Sequence, residues 1–286
     1  MAEHAGFCFG VSRAIDCALE QALKEGGNVY TYGPLIHNAN AIAELEKKGV
    51  FALDEIGEIP DGATVLIRAH GVPQNVENEL RLNFKNLVDA TCPFVKRIHK
   101  IVAERSRQGD QIVVTGSSDH PEVIGICGWA LGDCFVISSG DEAGRIKLDL
   151  NGKVCVVSQT TFMPNKFQEI VEILQKKGYD ICAYNTICNA TEERQAEARD
   201  IAQDVDVMLV IGDENSSNSR KLYEICSKVC EFTYFMGDAS GVDSIDFSSF
   251  ERIGITAGAS TPHYIIEEVQ GKCQKQQTMN TQIMIR

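Results

Sequence analysis

The chain has 286 residues, 44% hydrophobic and 23% charged, an ordinary globular balance with enough length for one large or two to three small domains. Its net charge of −13 excludes a nucleic-acid binder, which needs a basic patch to displace counterions. A small anionic substrate stays open, because a local site can oppose the global field. Met1–Gly10 shows no basic stretch followed by a long apolar core, and no apolar run approaches the roughly 20 residues of a membrane span. The expected location is therefore cytoplasmic, with no membrane and no nucleic-acid partner. In a reducing compartment the 11 cysteines are small buried apolar residues or metal and redox ligands.

Read in chain order, one pattern occurs three times. It begins with a cysteine just before a helix: Gly6-Phe7-Cys8, Ala90-Thr91-Cys92 and Thr186-Ile187-Cys188. The helical faces that follow are Val11, Ala14, Ile15, Ala18 and Ala22; then Phe94, Ile98, Ile101 and Val102; then Ala198, Ile201, Ala202 and Val205. A β-type run next ends in glycine: Val29–Tyr32 before Gly33, Ile112–Thr115 before Gly116, Val207–Ile211 before Gly212. The glycines stand 25, 24 and 24 residues after their cysteines. Four residues later come His37, His120 and Ser216. A second helix follows near Ala41–Lys48, Val123–Leu131 and Arg220–Val229, and then a longer strand at Val65–Ala69, Val154–Ser158 and Ile253–Ala257. These strands run into His70; into Gln159, Thr160 and Thr161; and into Ser260 and Thr261.

Alternating strands and helices predict parallel α/β units whose loops bind ligands at the carboxyl ends of the strands. Each unit is marginal alone, so three packed around a pseudo-threefold axis are expected, with Cys8, Cys92 and Cys188 at one centre. A thiolate is favoured at a helix start, where unpaired N–H groups meet it. Three thiolates suit zinc or an iron–sulfur cluster. The lack of CxxC pairs and of an obvious fourth cysteine favours the cluster. Cys226 and Cys230, four apart in a helical pattern, are a second chelating pair by spacing and more simply two half-buried helical residues. Cys155 and Cys182 read as strand core, Cys127 and Cys134 have no recognisable ligand spacing, and His4, His99 and His263 read as surface or structural.

Nine segments in order carry a resemblance. They are Ala5-Gly6-Phe7-Cys8-Phe9-Gly10-Val11, Gly33-Pro34-Leu35-Ile36-His37-Asn38, Arg68-Ala69-His70-Gly71-Val72, Asp89-Ala90-Thr91-Cys92-Pro93, His120-Pro121-Glu122-Val123, Ser158-Gln159-Thr160-Thr161, Asn185-Thr186-Ile187-Cys188, Asn215-Ser216-Ser217-Asn218-Ser219 and Ala257-Gly258-Ala259-Ser260-Thr261-Pro262. Over about residues 5–270 the chain resembles the IspH/LytB family of 4-hydroxy-3-methylbut-2-enyl diphosphate reductases. The resemblance implies an α/β trefoil of three units around a [4Fe-4S] cluster. It implies reductive removal of an allylic hydroxyl in the last step of the methylerythritol phosphate pathway, with a ferredoxin or flavodoxin as electron donor. It makes Cys8, Cys92 and Cys188 the cluster ligands. His37, His70 and His120 are then the histidines around the diphosphate, with Ser216, Ser217, Asn218 and Ser260 as its hydroxyl and amide partners. Glu122 becomes the proton-feeding acid and Thr160 the hydroxyl that helps orient the substrate.

The expected units are 10–91, 92–185, and 1–9 with 186–270. Relatives begin with a short strand that only Met1–His4 can supply here, so a frayed or differently paired edge is expected. The polar stretch Gly271–Arg286, without period, is expected to be disordered, with Cys273 a free thiol. Two other readings are another three-cysteine iron–sulfur enzyme, quinolinate-synthase-like, whose motifs are not seen, and a non-catalytic metal-bound redox sensor.

Overall fold

The structure, a computed structural model, describes residues 1–25 and 28–284. In chain order its elements are α1 (Phe9–Glu25), β1 (Val29–Tyr32), α2 (Ala39–Glu46), β2 (Val50–Leu53), β3 (Thr64–Ile67), α3 (Gln74–Asn83), β4 (Asn86–Asp89), α4 (Pro93–Arg107), β5 (Gln111–Thr115), α5 (Pro121–Cys127), β6 (Cys134–Ile137), α6 (Gly140–Arg145), β7 (Lys153–Ser158), α7 (Pro164–Lys176), β8 (Asp180–Ala183), α8 (Asn189–Gln203), β9 (Val207–Ile211), α9 (Ser217–Cys226), β10 (Phe232–Met236), β11 (Ile253–Ala257) and α10 (His263–Met284). The α/β class expected from the sequence is the one observed.

The strands form three parallel sheets, ordered β2-β1-β3-β4, β6-β5-β7-β8 and β10-β9-β11. Val, Ile and Leu dominate the strands that are covered on both faces: β3 and β9 are buried along their whole length. In each sheet the chain leaves the middle strand for one neighbour and then crosses to the other. The order therefore reverses between β1 and β3, β5 and β7, β9 and β11. Open parallel sheets bind ligands beyond the strand ends at such reversals. The residues just past these strands are the ones that the repeat singles out.

Gly10–Ile36 and Ile42–Cys188 make up one compact unit, which holds the first two sheets. Within it Trp129 Nε1 donates to the Val72 carbonyl at 3.0 Å and the Gln74 N–H to the Gly128 carbonyl at 3.2 Å, which links the loop after α5 to the turn after β3. Met1–Phe9, His37–Ala41 and the chain from Asn189 onward make up the other unit. There one face of the third sheet packs Leu209, Ile211 and Ile255 against Ile265, Ile266 and Val269 of α10. Its other face packs Met208 and Val210 against Ala198, Leu222 and Cys226.

Two expectations are corrected, and the frayed, differently paired edge expected at Met1–His4 is found. The polar C-terminal stretch is not disordered from Gly271: α10 continues to Met284. Its apolar stripe is sparse but helical, since Cys273 lies one turn beyond Val269 and both are buried in the same core. The last two residues of that stretch, Ile285 and Arg286, lie outside the described residues. Met1–His4 forms no strand. It makes one backbone bond to β11, Ala2 N–H to the Ile255 carbonyl at 2.8 Å, and the Glu3 and His4 N–H groups go to the Glu197 carboxylate instead. Cys127 and Cys134 pair as a disulfide, with Cα atoms 5.5 Å apart, because the loop between them brings the end of α5 beside the start of β6.

His99 is buried in α4, stacked on Trp129 with ring centroids 5.3 Å apart, and its Nε2 has no hydrogen-bond partner. Burial pushes its ring pKa down to about 4, helped by Lys96 and opposed by Asp89. Gly71, with φ +71°, lies against this ring, and any Cβ there would strike it. The folded chain therefore holds His99 neutral while the unfolded chain protonates it near 6.5. Stability is complete above that value and declines as pH falls toward about 4, by roughly 3 kcal/mol. Urea unfolding of the apoprotein across this window should show His99→Gln with a markedly flatter acid limb. An unchanged limb would assign the titration to other groups.

Candidate active site

The three cysteines of the repeat are anchored alike. The Cys92 N–H donates to the Ala69 carbonyl at 2.9 Å, Cys188 to Thr160 at 3.0 Å, and Cys8 to Ala259 at 3.1 Å. Each acceptor lies two residues past the last residue of β3, β7 or β11. A helix opens directly after each cysteine, and Cys92 is the N-cap of α4 with Pro93 at its first position. All three side chains are half-buried and none is in a disulfide. Two of the preceding turns are set by a carboxylate or amide three residues before the cysteine. Asp89 Oδ1 accepts from the Thr91 N–H at 2.9 Å and Asn185 Oδ1 from the Ile187 N–H at 3.1 Å.

In the larger unit, Cys92 and Cys188 are accompanied by His70, His120, Glu122 and Thr160. His120 caps α5: its Nδ1 accepts the Glu122 N–H at 3.1 Å. In the neutral ring the proton is then on Nε2, which makes that atom a donor. The His70 and His120 rings meet edge to face, 5.5 Å between centroids. Glu122 is 3% exposed. Its carboxylate accepts the Thr160 N–H at 2.6 Å and the Thr160 hydroxyl at 2.8 Å. A buried acid and a hydroxyl are thus joined in one hydrogen-bonded line, an arrangement that can hold and pass a proton.

In the smaller unit, Cys8 is accompanied by His37, Ser216, Ser217, Asn218 and Ser260. The Ser216 hydroxyl caps α9 by accepting the Ser219 N–H at 3.3 Å. Ser260 Oγ donates to the His37 carbonyl at 2.8 Å and lies 3.5 Å from Ser216 Oγ. Ser217 Oγ accepts from Lys221 Nζ at 2.7 Å. Asp213 ties the two loops, accepting the Ala39 N–H at 3.0 Å and the Asn215 N–H at 2.8 Å. Asn218 is 3% exposed, yet neither its Nδ2 nor its Oδ1 has a hydrogen-bond partner. Leaving a buried amide unsatisfied costs about 1–3 kcal/mol, so the side chain is set out for a polar ligand. Ser219 lies so close to Gly212 and Gly258 that a Cβ on either would collide with it, which makes both glycines structural requirements of this loop cluster.

The sequence reading missed Asp213, and it missed the turn-forming roles of Asp89 and Asn185. The last two were visible as the matching third positions before Cys92 and Cys188.

The family description "LytB protein" matches residues 1–274. The 4-hydroxy-3-methylbut-2-enyl diphosphate reductase of Clostridioides difficile (strain 630) is 41% identical over 269 residues, covering 94% of this chain and 96% of the relative. The protein of the same name from Geotalea uraniireducens is 43% identical over 275 residues, 96% of each. A solved structure of (E)-4-hydroxy-3-methyl-but-2-enyl diphosphate reductase, titled the terminal enzyme of the non-mevalonate pathway, aligns with TM-score 0.69 and 40% identity over 96% of this chain and 98% of that one. The Plasmodium falciparum E-1-hydroxy-2-methyl-but-2-enyl-4-diphosphate reductase aligns with TM-score 0.85 and 27% identity over 93% and 85%. With the repeat, the anchored cysteines and these matches together, the chain belongs to the LytB protein family.

Proposed function

We propose that this chain reductively dehydroxylates 4-hydroxy-3-methylbut-2-enyl diphosphate to isopentenyl and dimethylallyl diphosphate. This would be the last step of the methylerythritol phosphate pathway, located in the cytoplasm, with electrons from a ferredoxin or flavodoxin. Among the described residues no helix is long and apolar enough to cross a membrane. The observation that carries the reading is the buried Glu122–Thr160 pair, held in a chain whose relatives of this name span nearly its whole length.

The donor set suits a [4Fe-4S] cluster. Cys8, Cys92 and Cys188 are half-buried at helix starts. Burial pushes Cys155 and Cys226 up to about 12 and Cys273 up to about 11, and Cys127 and Cys134 are paired with each other. Three thiolates leave one iron of four without a protein ligand, whereas structural zinc asks for a fourth. When bound, the cluster supplies a Lewis-acidic iron for the substrate hydroxyl and a path for two electrons.

The rest falls to side chains. His37, His70, His120, Ser216, Ser217, Asn218 and Ser260 are the groups assigned to the diphosphate, with Asn218 supplying an amide that has no partner among the described residues. His120 offers its Nε2–H, because Nδ1 is already engaged. Breaking the allylic C–O bond consumes two electrons and two protons, one proton leaving with the oxygen as water and one ending on carbon. Glu122 holds the proton, and the Thr160 hydroxyl fixes the carboxylate on one side. A metal-only sensor would have no use for the Glu122–Thr160 pair or for the orphaned Asn218 amide, so the catalytic reading is preferred.

Anaerobic purification should yield about four irons and a matching amount of sulfide per chain, and a one-electron reductant should drive conversion of the substrate to both diphosphates. Absence of product with an intact cluster would overturn the reaction. Glu122→Gln should keep its iron content while turnover falls roughly 10²–10⁴-fold, the usual worth of a positioned acid; undiminished turnover would remove Glu122 from the reaction. Thr160→Val should lower turnover by on the order of ten-fold, about 1.4 kcal/mol, for the loss of one hydrogen bond. Cys92→Ser should abolish the cluster and Cys226→Ser should not; iron content that followed Cys226 would refute the ligand assignment.

A further inference from the structure

Two arginines grip the backbone that leads into a ligand cysteine. Arg13 stands on α1, five residues after Cys8. Its Nη1 donates to the Ala90 carbonyl at 3.4 Å and the Thr91 carbonyl at 3.2 Å, the two residues before Cys92. Arg194 stands on α8, six residues after Cys188. Its Nε donates to the His4 carbonyl at 2.7 Å and its Nη2 to the Gly6 carbonyl at 2.8 Å, four and two residues before Cys8. Each guanidinium is thus carried on the helix that starts at one cysteine and holds the approach to another.

Both approaches are held from two sides. Before Cys8, Arg194 takes the carbonyls while Glu197, nearly one helical turn further along α8, takes the Glu3 and His4 N–H groups at 2.5 and 3.0 Å. Burial works against that carboxylate, but the two N–H bonds and the His4 ring hold it below its ordinary range. Before Cys92, Arg13 takes the carbonyls while Asp89 takes the Thr91 N–H and pairs with Lys96. The approach to Cys188 is built differently. The Thr186 hydroxyl accepts the Ser158 N–H at 2.8 Å and donates to the Ser158 carbonyl at 2.7 Å. Arg97, five residues after Cys92, is exposed.

We propose that Arg13 and Arg194 are positioning residues for the cluster thiolates, each locking the peptide run before one ligand cysteine and fixing a positive charge on that run. A metal–thiolate bond tolerates only about 0.2 Å of misplacement, so a loose approach loses the cluster even when the cysteine is present. Guanidinium suits the task because it stays charged and holds its donors in a rigid plane: Nη1 of Arg13 serves both carbonyls, and Nε and Nη2 of Arg194 take one each. A lysine would keep the charge and lose that fixed plane. The inference rests on Cys8 and Cys92 being cluster ligands.

The test uses the full-length protein loaded with its cluster under anaerobic conditions. Iron release to a ferrous chelator, the cluster's midpoint potential and the unfolding midpoint of the apoprotein are measured for wild type, Arg13→Met, Arg13→Lys, Arg194→Met and Arg97→Met. Arg13→Met and Arg194→Met should release iron roughly 10–100-fold faster, the range seen when groups behind metal ligands are lost, and should shift the potential downward. Arg13→Lys should recover the potential but still release iron faster than wild type. Arg97→Met should match wild type. Wild-type release from Arg13→Met, or a faster release that merely follows a lowered apoprotein midpoint in both arginine variants, would overturn the proposal. A wild-type protein that binds no cluster would instead overturn the ligand assignment on which it rests. If Arg194→Met does not fold, the half-buried Arg13 decides the matter alone.

Discussion

The structure turns on one backbone hydrogen bond made three times: the N–H of a cysteine to the carbonyl two residues past a strand end. Parallel strands bring their carboxyl ends level within a sheet, so that carbonyl is a fixed point. The cysteine bound to it begins the next stretch of helix. Cys92 and Cys188 are therefore placed by β3 and β7, strands that precede them in the chain, while Cys8 is placed by β11, which comes near the end. The first residues of the chain thus complete the last repeat, and the backbone that carries each thiol is fixed by sheet geometry.

The groups proposed for the diphosphate stand at the same strand ends and at the helix starts beyond them. In a chain of charge −13, Lys221 stands against one of these proposed groups, Ser217, at 2.7 Å. The rest of the proposed set is neutral: a histidine whose tautomer is set by a helix cap, serine hydroxyls at the start of α9, and a buried amide. These donors are neutral and directional, so they select shape as well as charge. The arginines are used elsewhere, on carbonyls that lead to thiols.

Periodicity made much of this legible. The βα repeat imposes near-constant spacing from cysteine to glycine, and β-branched runs mark strands covered on both faces, so the α/β class and the loops carrying His37, His120 and Ser216 could be read from residues alone. What escaped was non-local or sparse. Arg13 reaches the peptides before Cys92 across 77 positions and Arg194 reaches His4 across 190; no pattern in a linear chain announces such bonds. The Cys127–Cys134 pair depends on a loop path. The helical tail was hidden because a few buried side chains, Val269 and Cys273 among them, hold a helix whose remaining composition is that of a solvated segment. His99 was read as surface or structural, and its burial against Trp129 could not be told apart from exposure without knowing that Gly71 would close over it.

Asn218 carries a consequence for how the protein behaves between turnovers. A buried side-chain amide with neither end bonded among the described residues costs the folded chain stability, a cost that a polar partner at that position would remove. Replacing that amide with an isosteric leucine would leave a hardier protein with a poorer grip, the exchange of robustness for affinity that polar binding sites commonly embody. A ligand that satisfied the amide would stabilise the folded chain by mass action.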